Sequence, residues 1–98
     1  MKTQRNIRLI KTNHFLLRAW ERGYYHSSIE KLTKGFKASK EKVFYVIDKK
    51  KLKNLGVKTT LSKYLIIVVK ENALVTLFEV NDLYGFLKGK KAINLIKM

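Results

Sequence analysis

Two apolar runs, Tyr64 to Val69 and Ala73 to Val80, are separated only by Lys70, Glu71 and Asn72. Both are dense in Ile, Val, Leu and aromatic side chains, which suit a pleated, half-buried surface. The polar interval between them is short enough to reverse the chain, so the spacing predicts an antiparallel hairpin. An isolated hairpin is marginal in water, and further elements must cover it. Val43 to Ile47 reads as another strand and Ala92 to Ile96 as a last one.

The covering layer is expected upstream. Thr12 or Asn13 can cap a helix that begins near His14, runs to Arg22 and stops at Gly23. At about 100° per residue, Phe15, Leu16, Leu17, Ala19 and Trp20 form its apolar side, with Trp20 expected in the core. His14, Arg18, Glu21 and Arg22 fall within an arc of about 100° on the other side. Ser27 and Glu30 have capping-box spacing for a second helix, with Ile29 and Leu32 as its apolar contacts and Gly35 as its stop. Lys49 to Leu55 reads as a short basic helix closed by Gly56, and Asn81 can cap a short helix through Leu87 despite Gly85. The expected architecture is α+β: two N-terminal helices packed on a mainly antiparallel sheet of about four strands, in two layers. A length of 98 residues fits one domain spanning residues 1–98.

Charge narrows the function classes. The chain holds 22 Lys and Arg against 7 Asp and Glu, a formal net charge of +15. A genome rich in A and T favours Lys, but it also favours Glu, so it does not account for so few acids. A domain this basic repels itself and is usually matched to a polyanion, with nucleic acid the first candidate. The charge is uneven: residues 31–63 hold eleven Lys against Glu41 and Asp48, whereas residues 71–87 hold Glu71, Glu79 and Asp82 with no cation. The acidic stretch is expected to face away from the polyanion or to form one wall of its site. Zero Cys excludes a disulfide framework and thiolate metal sites and fits a cytoplasmic setting. The longest apolar run is far shorter than the roughly 20 residues of a spanning helix, and charges at Arg8, Lys11 and Arg18 interrupt any signal-like segment. No membrane partner is expected.

His14 is the first candidate for chemistry, because imidazole takes and gives protons near neutral pH. Arg18 and Arg22 follow one and two turns on, and guanidinium grips phosphate with paired hydrogen bonds. Together they suit RNA cleavage without metal: a base for the 2′-hydroxyl and cations for the charge that develops on phosphorus. The plainer reading is a solvated polar face with Glu21 pairing to the arginines. His26 reads either as a second proton carrier or as a polar loop residue. His26 with Glu30 is only a weak metal signal, so no metal or other cofactor is expected. Lys31, Lys34, Lys37, Lys40, Lys49, Lys50, Lys51 and Lys53 are the candidate nucleic-acid-binding residues, interleaved with Phe36, Phe44 and Tyr45. Phe44 and Tyr45 alternate along a strand, so at least one should point into the core.

The stretch His14-Phe-Leu-Leu-Arg18-Ala-Trp-Glu21-Arg22-Gly23 resembles the opening of a bacterial domain family with a His-x-x-x-Arg-x-x-x-Arg-Gly helix. That family continues with a second short helix and an antiparallel sheet, the order of segments found here over roughly residues 13–80. Its layout is similar to RelE-like and BrnT-like toxins, small basic endoribonucleases that act without metal and are neutralised by an antitoxin. The resemblance implies His14 as the acid/base residue and Arg18 as a phosphate ligand, with Arg22 also on the motif. It departs at the tail, where such toxins often carry a further Arg, Tyr or His and Ala92 to Met98 offers only Lys97. The expected function is thus a RelE-like, metal-independent endoribonuclease toxin, with RNA, an acidic antitoxin and a second copy in a homodimer as candidate partners. A non-catalytic nucleic-acid-binding module and an interaction protein meeting an acidic partner are the alternatives.

Overall fold

The computed structural model describes residues 9–57, 63–89 and 93–96. Its centre is the expected hairpin, β3 (Tyr64–Glu71) and β4 (Ala73–Val80), paired from Tyr64↔Val80 to Lys70↔Ala73. The turn is tighter than the composition suggests. Lys70 and Ala73 still pair, so only Glu71 and Asn72 make the reversal, with Glu71 in the left-handed region at φ 58°. On the other side of β3, β2 (Ser39–Asp48) pairs antiparallel, with Val43↔Val69 through Asp48↔Tyr64.

Two short strands complete the sheet in the order β1-β4-β3-β2-β5, both parallel to their neighbours. β5 (Ile93–Ile96), the last strand expected over Ala92 to Ile96, lies beside β2. β1 (Ile10–Lys11) is the fifth strand, which the sequence pattern did not announce. It is held by Ile10 N–H donating to Asn72 O at 2.7 Å and Thr12 N–H to Leu74 O at 3.3 Å. Two residues carry no readable alternation, so such a strand is invisible to periodicity.

Helices α1 (Asn13–Glu21) and α2 (His26–Leu32) cover one face of the sheet. Phe15, Ala19, Tyr24, Ile29 and Leu32 meet Val43, Tyr45, Ile47, Leu65, Ile67 and Val69 there. A bulge lets β4 serve this core: Val68 faces Thr76 but Val69 faces Leu74, so one extra residue flips the parity. Leu74 and Leu77 therefore both join the helix-side core, while Val75, Phe78 and Val80 turn to the opposite face. α3 (Lys49–Asn54) sends Leu52 into the helix-side core, with Val57 just beyond it, and belongs to the same layer. α4 (Leu83–Leu87) lies across the other face, where Phe86 meets Phe44 and Phe78 edge-on at 5.5 and 5.3 Å.

Of the two candidates, Thr12 caps α1, its hydroxyl accepting from Phe15 N–H at 3.1 Å. Two other caps differ from expectation. Ser27 lies inside α2, whose N-cap is Tyr25 without a side-chain bond, so the capping box does not form. Asp82 caps α4 by accepting from Gly85 N–H at 2.9 Å. Asn81 instead accepts from Lys63 N–H at 3.0 Å. The cap explains the glycine within α4, because a Cβ at Gly85 would strike the Asp82 carboxylate. No helix among the described residues is long and apolar enough to cross a membrane.

Candidate nucleic-acid interface

α1 sets the geometry. Phe15, Ala19 and Arg22 face the sheet, and the remaining positions follow at about 100° steps. Leu17 stands at the crest. Leu16, Trp20 and Asn13 lie on the flank toward α2, and His14, Arg18 and Glu21 on the flank away from it.

The polar flank is partly as expected. His14 sits in the first turn and is exposed. Arg18 is one turn on, its Nη1 3.2 Å from Glu21 Oε1 in a pair open to solvent. Such pairs are worth about 0–1 kcal/mol, so Arg18 can exchange Glu21 for a phosphate at little cost. Arg22 is different. Its Nη1 turns inward to Glu79 Oε1 on β4 at 3.4 Å, and the Glu79 side chain is only 7% exposed. Tyr24 donates its hydroxyl to Glu79 Oε2 at 3.0 Å. Burial, reinforced by that bond and by the Glu79 charge, pushes the Tyr24 phenol well above the usual tyrosine range, so it stays a donor. Arg22 thus anchors the end of α1 to β4 rather than standing open beside His14 and Arg18.

The acidic stretch is likewise absorbed by structure. Glu79 holds Arg22 and Tyr24, Asp82 caps α4, and Glu71 makes the hairpin turn. These three carboxylates do not form one wall of a site.

The lysines do not form one patch. Lys40 lies at the start of β2 and Lys49 just past its end, so about nine strand steps, on the order of 30 Å, separate them. Lys34, Lys37 and Lys40 are exposed on the chain leading into β2. Lys49, Lys50, Lys51 and Lys53 ride on α3, with Lys50 and Lys53 exposed and Lys49 and Lys51 half-buried. Lys31, on the flank of α2 away from α1, joins them: its Nζ is 3.8 Å from where a Cβ at Gly56 would stand. Phe36 is not available to bases, because it is buried and stacks on Tyr45 at 3.7 Å. Phe44 packs against Phe86 on the opposite face. Lys97 lies outside the described residues.

The largest departure is Trp20, which is 69% exposed rather than in the core. Leu17 and Leu16 are also exposed, at 55% and 41%. Trp20 meets Tyr25 edge-on at 6.4 Å, and Tyr25 is itself exposed. The sequence did contain a signal for this. The apolar arc from Phe15 through Leu16 to Leu17 spans about 200°, wider than a short helix buries against one sheet. Behind these side chains lies a groove of about 390 Å³, with Asn13, Leu16, Leu17 and Trp20 on one side. Tyr24, His26 and Ile29 form the other side. His26 therefore faces the groove, across the α1 crest from His14. Among the described residues no three His, Cys, Asp or Glu side chains gather as a metal site.

The chain matches no protein-family model, and no curated protein or solved structure is significantly similar to it.

Proposed function

We propose that this chain binds RNA across its helix layer and cleaves it at His14 without a metal, as a cytoplasmic toxin of RelE-like type restrained by an acidic antitoxin. The observation that supports this reading is the open flank of α1, where exposed His14 stands one turn from Arg18 and Arg18 is held only by a surface carboxylate. Neutral His14 takes the proton from a ribose 2′-hydroxyl. The 2′-oxygen bonds to the adjacent phosphorus and the bond from phosphorus to the 5′-oxygen breaks. The imidazolium returns the proton to that leaving oxygen, which gives a 2′,3′-cyclic phosphate and a 5′-hydroxyl. Arg18 balances the negative charge on the phosphoryl oxygens as it grows. Lys31 and the α3 lysines hold the RNA backbone beyond α2, two helix spacings or about 20 Å from His14.

Induced expression in a bacterial host, beside His14→Ala at equal level, tests the reading. Growth arrest by the wild type that the substitution relieves is expected. Unaffected growth with folded, soluble wild-type protein contradicts it.

One observation favours a second reading, a binding module without chemistry. Arg22 is engaged by Glu79, which leaves His14 with a single guanidinium at hand. That reading predicts tight, salt-dependent RNA binding and no product.

A further inference from the structure

We infer that the groove between α1 and α2 is a nucleobase subsite, so that the RNA this domain takes is single-stranded. The inference rests on the RNA reading above and names the substrate class. Its ground is a juxtaposition on α1. Trp20, 69% exposed, lines the groove, and Tyr25, 57% exposed, meets it edge-on at 6.4 Å. Arg18 and His14 stand on the opposite flank of the same helix. The Leu17 crest separates the two flanks.

Exposed aromatic rings are costly in water unless something covers them, and a base offers a flat π-face to any of them. Duplex RNA keeps its bases stacked inside, whereas single strands can splay a base onto an aromatic ring. The groove suits this occupant in chemistry. Leu16 and Leu17 give apolar walls, and the Asn13 amide and His26 imidazole supply hydrogen-bonding groups at its edges. It also suits it in size. At about 390 Å³ it lies near the lower end of small-molecule clefts, roughly 300–1,000 Å³. A stable protein interface engages about 20–30 residues a side, far more than line this groove. A second copy would bring another +15 of charge toward the first, whereas a polynucleotide brings the opposite sign.

The test compares a labelled 2′-O-methyl oligoadenylate, which resists cleavage, with an abasic strand of equal length and equal phosphate count. The wild type should bind the base-bearing strand about tenfold more tightly, with Trp20 fluorescence quenched on binding. Trp20→Ala should erase that difference and leave abasic binding unchanged, and Trp20→Phe should restore most of it. Circular dichroism of both variants should match the wild type, since the side chain is largely outside the core. Equal wild-type affinity for the two strands, or no effect of Trp20→Ala, overturns the subsite, while salt-dependent binding of both strands leaves the RNA reading standing. Binding of neither strand sinks both. Self-association that needs Trp20, without base discrimination, assigns the groove to a second copy and overturns the inference.

Discussion

Arg18 and Arg22 are one turn apart on one helix, yet their surroundings divide their roles. Arg18 pairs with exposed Glu21, and Arg22 reaches a carboxylate that is nearly out of water. Arg22→Ala leaves Glu79 without its cation. It should destabilise the fold by about 2 kcal/mol, below the range for a fully buried pair because Arg22 is itself about a third exposed. Arg18→Ala should change stability by less than about 0.5 kcal/mol and act on RNA instead. Urea unfolding of both variants separates the roles, and equal losses would refute the division. Thr12 carries more than its sequence position suggests. Besides capping α1, its hydroxyl lies 2.9 Å from Leu74 O and 3.1 Å from Val75 O, so it ties the helix start to β4. Thr12→Ala should cost about 1–2 kcal/mol, read as a lower urea midpoint with unchanged slope. The helix stop at Gly23 was legible because capping chemistry is local. The partner of Arg22 was not, since Glu79 is 57 residues away and no local pattern names it.

Strands were legible where their runs of β-branched, Leu and aromatic residues were long enough to count. The β3–β4 hairpin and β2 carry such runs; β1, with two residues, does not. The bulge at Val68/Val69 was also hidden, because the apolar run continues through it while the faces exchange. Helices were legible in position but not in which apolar residues they bury. α1 buries only Phe15 and Ala19. Phe15→Ala should therefore cost about 3–5 kcal/mol, whereas Leu17→Ala should stay within about 0.5 kcal/mol. Thermal unfolding distinguishes them, and comparable losses would mean that the crest of α1 is packed. The same limit applies to the lysines: they cluster along the sequence, but β2 divides them between its two ends. The α3 group has a separable signature. Lys50→Gln with Lys53→Gln removes two exposed cations, so the slope of log affinity for single-stranded RNA against log salt should fall by about 1.4. An unchanged slope would remove α3 from the interface.

Across the whole molecule, a +15 charge is carried on a fold that consumes several of its few carboxylates internally. Glu79 and Asp82 hold the structure together, and Glu30 pairs with Lys11 at 3.2 Å between α2 and β1. What remains for a partner is a helix layer with an open His14–Arg18 flank, an aromatic groove and a lysine group beyond it. The charge and the motif were legible in the sequence, but their arrangement across the layer follows from packing alone. The central claim is chemistry at His14. Purified wild type and His14→Ala should be incubated with end-labelled single-stranded RNA in EDTA, at concentrations where both bind. The account predicts fragments ending in 2′,3′-cyclic phosphate from the wild type and intact RNA from an equally folded, equally bound variant. Intact RNA in both, or equal cleavage by both, would contradict it.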